Sequence, residues 1–112
     1  MSFQIKELLL DDGHSPFAEW FGSLEAVPAA KVRVAVSRIE LGNLSNVEWF
    51  RGIGEYKIDW GPGLRVYLAK DGLKIIILPG GGTKKRQQQD IEQALALWED
   101  YKRRKASIQR GR

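Results

Sequence analysis

The 112-residue chain is 43% hydrophobic and 29% charged with a net charge of +4, which excludes a disordered polar chain and leaves enough apolar content for one core. With no cysteine and a single histidine, a disulfide framework, a thiolate metal site and a multi-histidine metal site are excluded as well. Charge is unevenly placed: residues 1–83 hold nine Lys/Arg against ten Asp/Glu, and residues 84–112 hold nine against four. Such asymmetry suits a polyanion such as nucleic acid, although charge alone favours a solvated basic helix end that complements the helix dipole.

The opening MSFQIKELLLDDGHS lacks the basic and apolar regions of a signal peptide, and no run of about 18 apolar residues exists to span a membrane. The cytoplasm is the expected location. Residues 3–10, FQIKELLL, read as a strand that DDGHS breaks. Ser15 before Pro16 reads as an N-cap with proline at the first helical position, and Phe17, Trp20, Phe21 and Leu24 share one helical face. Pro28 opens a second helix with Val32, Ala35, Val36 and Ile39 in a stripe, stopped at Gly42 and Asn43.

Residues 44–50 read as a loop. Residues 52–80 then hold three strand-like runs punctuated by GPG and DG, a three-stranded meander. From about Arg86 the pattern returns to helix, with Ile91, Leu95 and Trp98 on one stripe, Tyr101 a turn further on and KRRK at 102–105. The expected architecture is β-α-α-β-β-β-α, a single α+β domain over 1–112 whose mainly antiparallel sheet packs against helices, with a basic tail from about residue 106 that frays.

If Gly61, Pro62 and Gly63 are the whole hairpin loop, Trp60 faces Leu64, Asp59 pairs with Arg65, Ile58 with Val66 and Lys57 with Tyr67. Glu55, Lys57, Asp59, Arg65 and Tyr67 then share a charged face, opposite a core face of Tyr56, Ile58, Trp60, Leu64, Val66 and Leu68. A two-residue turn at Asp71 and Gly72 sets Leu78 opposite Arg65 and Ile76 opposite Tyr67, an apolar floor for the charged face. An ordinary solvated sheet face is the plainer account. The TKKR segment leaving the third strand and the mixture of cations with an aromatic ring point instead to a phosphodiester and a base.

The available chemistry is narrow. His14 sits in a turn beside Asp11 and Asp12, which suits solvent better than a Ser-His-Asp arrangement, and GGGTKK does not match a P-loop. What remains is phosphodiester cleavage without metal or cofactor, in which Lys and Arg stabilise the phosphorane and RNA supplies its own 2′-OH nucleophile. Lys57, Arg65, Lys84 and Lys85 are the cations that would converge.

Three segments carry a family resemblance: ELGN at 40–43, GIGEYKIDWGPGLRVYL at 52–68 and LPGGGTKKRQQQDI at 78–91. Over about residues 11–105 the chain resembles the RelE/ParE toxin superfamily, in particular its HigB-like addiction module killer branch. The resemblance implies the same element order and an mRNA endonuclease, acting in the ribosomal A site, that a cognate helix-turn-helix DNA-binding antitoxin neutralises. It assigns Arg65 to the phosphate and transition state, matches Lys57 and Lys84 to basic family positions, and matches Asp90 to the aspartate that opens the last helix.

The resulting site has Lys57, Arg65 and Lys84 on the scissile phosphate, Lys85 and Arg86 on flanking phosphates, Tyr67 on a base, and Asp59 and Asp90 in support. Leu64 and Thr83 depart from the usual aromatic and acidic residues, and Ile91 lies near where a tyrosine often stands, which leaves base stacking and proton transfer to Tyr67 or ribosomal RNA. Two alternatives share the fold: a ParE-like DNA gyrase inhibitor, and a decayed, non-catalytic partner-binding domain.

Overall fold

The structure, a computed structural model, describes residues 2–110. Its elements are β1 (Gln4–Glu7), α1 (Pro16–Gly22), α2 (Ala26–Glu40), β2 (Val47–Phe50), β3 (Ile53–Ile58), β4 (Leu64–Asp71), β5 (Ile75–Thr83), a 3-10 turn (Lys84–Arg86) and α3 (Gln87–Arg110). The five strands form one sheet in the order β1-β5-β4-β3-β2, with β1 parallel to β5 and every other pair antiparallel. The protein is thus an α+β domain with a mostly antiparallel sheet. Helix α3 runs through Arg110, whereas residues 111 and 112 of the expected frayed tail lie outside the described residues. Among the described residues no helix is long and apolar enough to cross a membrane.

Both faces of the sheet are covered, and side-chain alternation explains how. Tyr56, Leu64, Val66, Leu68, Ile76 and Leu78 point to the face that α1 and α2 cover with Phe17, Val32, Ala35 and Ile39. Ile53, Tyr67, Ala69 and Ile77 point the other way and are buried by Ile91, Ala94, Leu95 and Trp98 of α3. The α3 end is tied to the sheet where the Tyr101 hydroxyl and Lys105 ammonium donate to Asp71. These contacts hold the Asp71 carboxyl below its usual range.

Helix α1 is only one to two turns long, so its start needs external help. Ser15 supplies it: the hydroxyl accepts from the Ala18 N–H at 3.0 Å, with Pro16 at the first helical position. Ser15→Ala is expected to lower stability by about 1 kcal/mol, read as an earlier midpoint in urea unfolding with an unchanged slope.

Three expectations are corrected. Residues 47–50 are not loop but the edge strand β2, closed onto β3 by a two-residue turn in which Arg51 and Gly52 both take positive φ, 54° and 89°. That geometry belongs to the I′ hairpin turn, whose usual residues are Asn-Gly or Asp-Gly, so Arg-Gly gives a weak signal. Between β3 and β4 the loop is five residues, 59–63, rather than three, so Lys57 faces Arg65 and Ile58 faces Leu64. The slip from the expected register is an even number of residues, so every side chain keeps its face.

The third correction concerns β5. It pairs further along than a tight Asp71-Gly72 turn would give, setting Gly82 opposite Arg65 and Gly80 opposite Tyr67, with an irregularity between the Tyr67 and Ala69 pairs. One extra β5 residue is accommodated there, beside Pro79, which has no N–H to give the ladder. The charged face therefore has a glycine floor instead of an apolar one, and the glycines lie within the strand rather than ending it.

Candidate active site

The face expected to be open to solvent is half closed. Helix α3 lies over it, leaving Tyr67 and Glu55 each 1% exposed and Arg65 8% exposed. What stays open is the end of the sheet beyond the first turn of α3. There Lys57 and Arg65 are cross-strand neighbours, and the 3-10 turn brings in Lys84.

Backbone bonds fix that turn. The Lys84 N–H donates to the Gly63 carbonyl at 2.8 Å, tying the 3-10 turn to the 59–63 loop. Gly63 takes φ 77°, and a Cβ there would lie 2.6 Å from Arg65 Nη1 and 3.3 Å from Lys84 Cβ. A glycine is needed here both for the backbone and for the room it leaves. Lys57, Asp59, Arg65 and Lys84 line one cavity of about 500 Å³ whose wall is completed by Ile58 and the loop residues Gly61, Pro62 and Gly63.

Two like charges directly opposite on a sheet repel, and Glu55 compensates. Its carboxylate lies beneath them, 3.9 Å from Arg65 Nε and 4.0 Å from Lys57 Nζ. It also accepts from the Tyr67 hydroxyl at 3.1 Å and from the Gln87 amide at 2.9 and 3.1 Å. Exposed Glu48 meets Lys57 from the outer side at 3.1 Å. Arg65 Nε is buried and, among the described residues, without a hydrogen-bond partner. A buried N–H left unpaired costs about 1–3 kcal/mol, an arrangement that stability alone does not favour.

Of the expected site residues, Lys57, Arg65, Lys84 and Asp59 share this cavity. The expected Asp59–Arg65 pair is replaced by Glu55–Arg65, because the longer loop carries Asp59 off the ladder onto the exposed rim. Tyr67 is withdrawn from base contact: its ring is packed under α3 and its hydroxyl is committed to Glu55. Burial and the Glu55 charge push its pKa well above the phenol range. Lys85 is exposed on the 3-10 turn but lines neither this cavity nor the next one.

Arg86 and Asp90 lie on a second cavity of about 310 Å³, between α1 and α3 over the glycine floor, together with Trp20 and part of Tyr67. Arg86 Nε is 4.0 Å from Asp90 Oδ1. Residues Glu55 and Gln87 escaped notice as site residues. Glu55 alternates with Lys57 and Arg65 on the charged face, a signal that was legible, whereas Gln87 looks like any polar residue of a first helical turn. Among the described residues no three His, Cys, Asp or Glu side chains are grouped to hold a metal ion.

An uncharacterized protein of Haemophilus influenzae is 36% identical over 99 residues, which cover 87% of this chain and 94% of that one. The chain belongs to that protein's family. No family model and no solved structure matches it.

In this member of the family, burial raises the Asp90 carboxyl above its usual pKa, with Arg86 pulling weakly the other way. The sign of the consequence follows. A carboxyl whose folded pKa is raised destabilises the fold at neutral pH, and this penalty fades as pH falls through the folded pKa towards the unfolded value. Asp90→Asn is therefore expected to melt higher than the parent at pH 7, with the difference closing near pH ~4, measured by thermal unfolding across that range.

Proposed function

We propose that the chain is the toxin of a type II toxin–antitoxin pair, a RelE/ParE-type, HigB-like endoribonuclease that cuts mRNA in the ribosomal A site without a metal. The supporting observation is the convergence of Lys57, Arg65 and Lys84 on one cavity, with Arg65 held in place by buried Glu55. A guanidinium so fixed is preorganised for the charge that develops on the phosphorane, which is where catalysis gains most.

The reaction is internal transesterification. The ribose 2′-oxygen attacks the adjacent phosphorus, the bond to the 5′-oxygen breaks, and a 2′,3′-cyclic phosphate forms; the 2′-OH loses a proton and the departing 5′-oxygen gains one. Arg65 and Lys84 hold the non-bridging oxygens, and Lys57, on the open side, stands by the leaving oxygen. Asp59 is the carboxylate on the cavity rim and the candidate acceptor of the 2′-OH proton. Glu55 is a positioning residue, since it is too buried to touch RNA. With Tyr67 enclosed, base stacking falls to ribosomal RNA. The proposed setting is the cytoplasm, where a helix-turn-helix antitoxin holds the protein silent.

Lys57 and Lys84 are exposed, so their truncation separates function from folding. Lys84→Ala is expected to slow cleavage by roughly 10²–10³, the scale for removing one transition-state donor, with an unchanged melting temperature. Induced in cells without antitoxin, the parent should arrest growth with mapped mRNA breaks, and the Lys57→Ala/Lys84→Ala variant should grow. DNA damage with intact mRNA would favour the gyrase-inhibitor reading, and normal growth of the parent the non-catalytic one.

A further inference from the structure

The cationic cavity does not end at Lys57. A second depression of about 290 Å³ lies between α2 and β3, and it shares Lys57, Ile58 and Asp59 with the first. The two adjoin along these three residues and together outline a trough. Its far half is lined by Lys31 and Arg38, exposed residues seven positions apart on α2. That spacing puts them on one side of the helix, about 10 Å apart along its axis. Among the described residues neither Lys31 nor Arg38 forms an ion pair, nor does Lys84. Between them the floor carries Asn46 and Tyr56, whose amide and hydroxyl meet at 3.4 Å.

Resting on the endoribonuclease reading above, we propose that this trough is the track for the single-stranded RNA flanking the cleavage point, with Lys31 and Arg38 each holding a phosphate beyond the one at Arg65 and Lys84. The chemistry selects a nucleic acid strand. Cations spaced along one side meet the repeating negative charge of a phosphodiester backbone, while the exposed Asn46 amide, backed by the buried Tyr56 hydroxyl, offers a donor and an acceptor to base edges. A row of peptide carboxylates would use the cations and leave the floor idle.

The test uses binding of the full chain to 2′-O-methyl RNA, which lacks the nucleophile and cannot be cut. For a single strand each neutralised phosphate contributes about 0.7 to the salt slope. Lys31→Gln/Arg38→Gln should therefore lower the slope by about 1.4 for an octanucleotide and weaken its binding roughly 25-fold at about 0.1 M salt. A trinucleotide, which fills only the Arg65–Lys84 end, should bind the variant as it binds the parent, which also reports that the fold is intact. Lys102→Gln/Arg103→Gln, outside the trough, should change neither.

If the octanucleotide binds the α2 variant undiminished while Lys84→Gln weakens it, the track is refuted and the endoribonuclease reading stands. Equal losses for both lengths would also refute the track. Tighter binding of octaglutamate than of the octanucleotide would assign the trough to an acidic peptide instead. If the parent binds neither RNA, the track is refuted, while the endoribonuclease reading, which is set in the ribosomal A site, is decided by cleavage on programmed ribosomes.

Discussion

Glu55→Ala is expected to destabilise the protein by about 3–5 kcal/mol, the cost of leaving a buried charge without its partner. The carboxylate is 1% exposed and is the common partner of Arg65, Tyr67, Gln87 and Lys57. Its removal strands a guanidinium that is itself 8% exposed. Denaturant unfolding gives the size, and two further variants give the cause. Glu55→Gln, which keeps volume and one acceptor, should lose less. Glu55→Leu combined with Arg65→Met should recover most of the stability, since an apolar pair of similar volume often matches or exceeds a buried ion pair. That double variant should nonetheless stay inactive on RNA. Full stability in Glu55→Ala would mean that the pair does not organise the site.

Adding one methyl group to β5 is expected to have the second largest effect, and only at two of its three consecutive glycines. A Cβ at Gly81 would lie 2.3 Å from the Trp20 ring on the α1 side, and a Cβ at Gly82 would lie 1.9 Å from Asp90 Oδ2 on the α3 side. At Gly80 the same addition meets nothing within 4 Å. Overpacking of this kind costs about 1–3 kcal/mol, so Gly81→Ala and Gly82→Ala should each melt well below the parent while Gly80→Ala stays close to it. In Gly82→Ala the obstacle is a short side chain. Adding Asp90→Ala should therefore restore much of the loss, whereas the same addition to Gly81→Ala should restore nothing.

These glycines show how far the sequence could be read. Their run does not match a P-loop and reads as the end of the third meander strand, and local pattern could say no more. Their role is to admit an aromatic ring on one face of the sheet and a carboxylate on the other, a fact about elements far apart in the chain. Elements with their own local signals were legible: the Ser15-Pro16 start of α1, the Val32, Ala35 and Ile39 stripe of α2, and the stripe of α3. Strand β2 was not, because its turn uses Arg51 at positive φ where Asn is usual. The faces of β3 and β4 survived a wrong register because the slip was even.

Within the site, the convergence of Lys57, Arg65 and Lys84 followed from alternation and from the departure of TKKR at the end of β5. The burial of Tyr67 and Glu55 could not be foreseen in the same way. Alternation assigns a residue to a face but does not say that α3 will cover half of that face. Asp59 failed as the partner of Arg65 for a related reason, since loop length decided which carboxylate the arginine meets.

The central claim is that this cationic cavity cuts RNA with the substrate's own 2′-hydroxyl. Its most direct test is incubation of the purified protein with ribosomes programmed with two mRNAs, one all-ribose and one carrying a single 2′-deoxynucleotide on the 5′ side of the scissile phosphate. A break in the all-ribose message at the A-site codon, ending in a 2′,3′-cyclic phosphate and absent from both the deoxy message and the Lys57→Ala/Lys84→Ala variant, is the predicted result. Equal cleavage of the two messages, or cleavage by the double variant at the parent's rate, would contradict it.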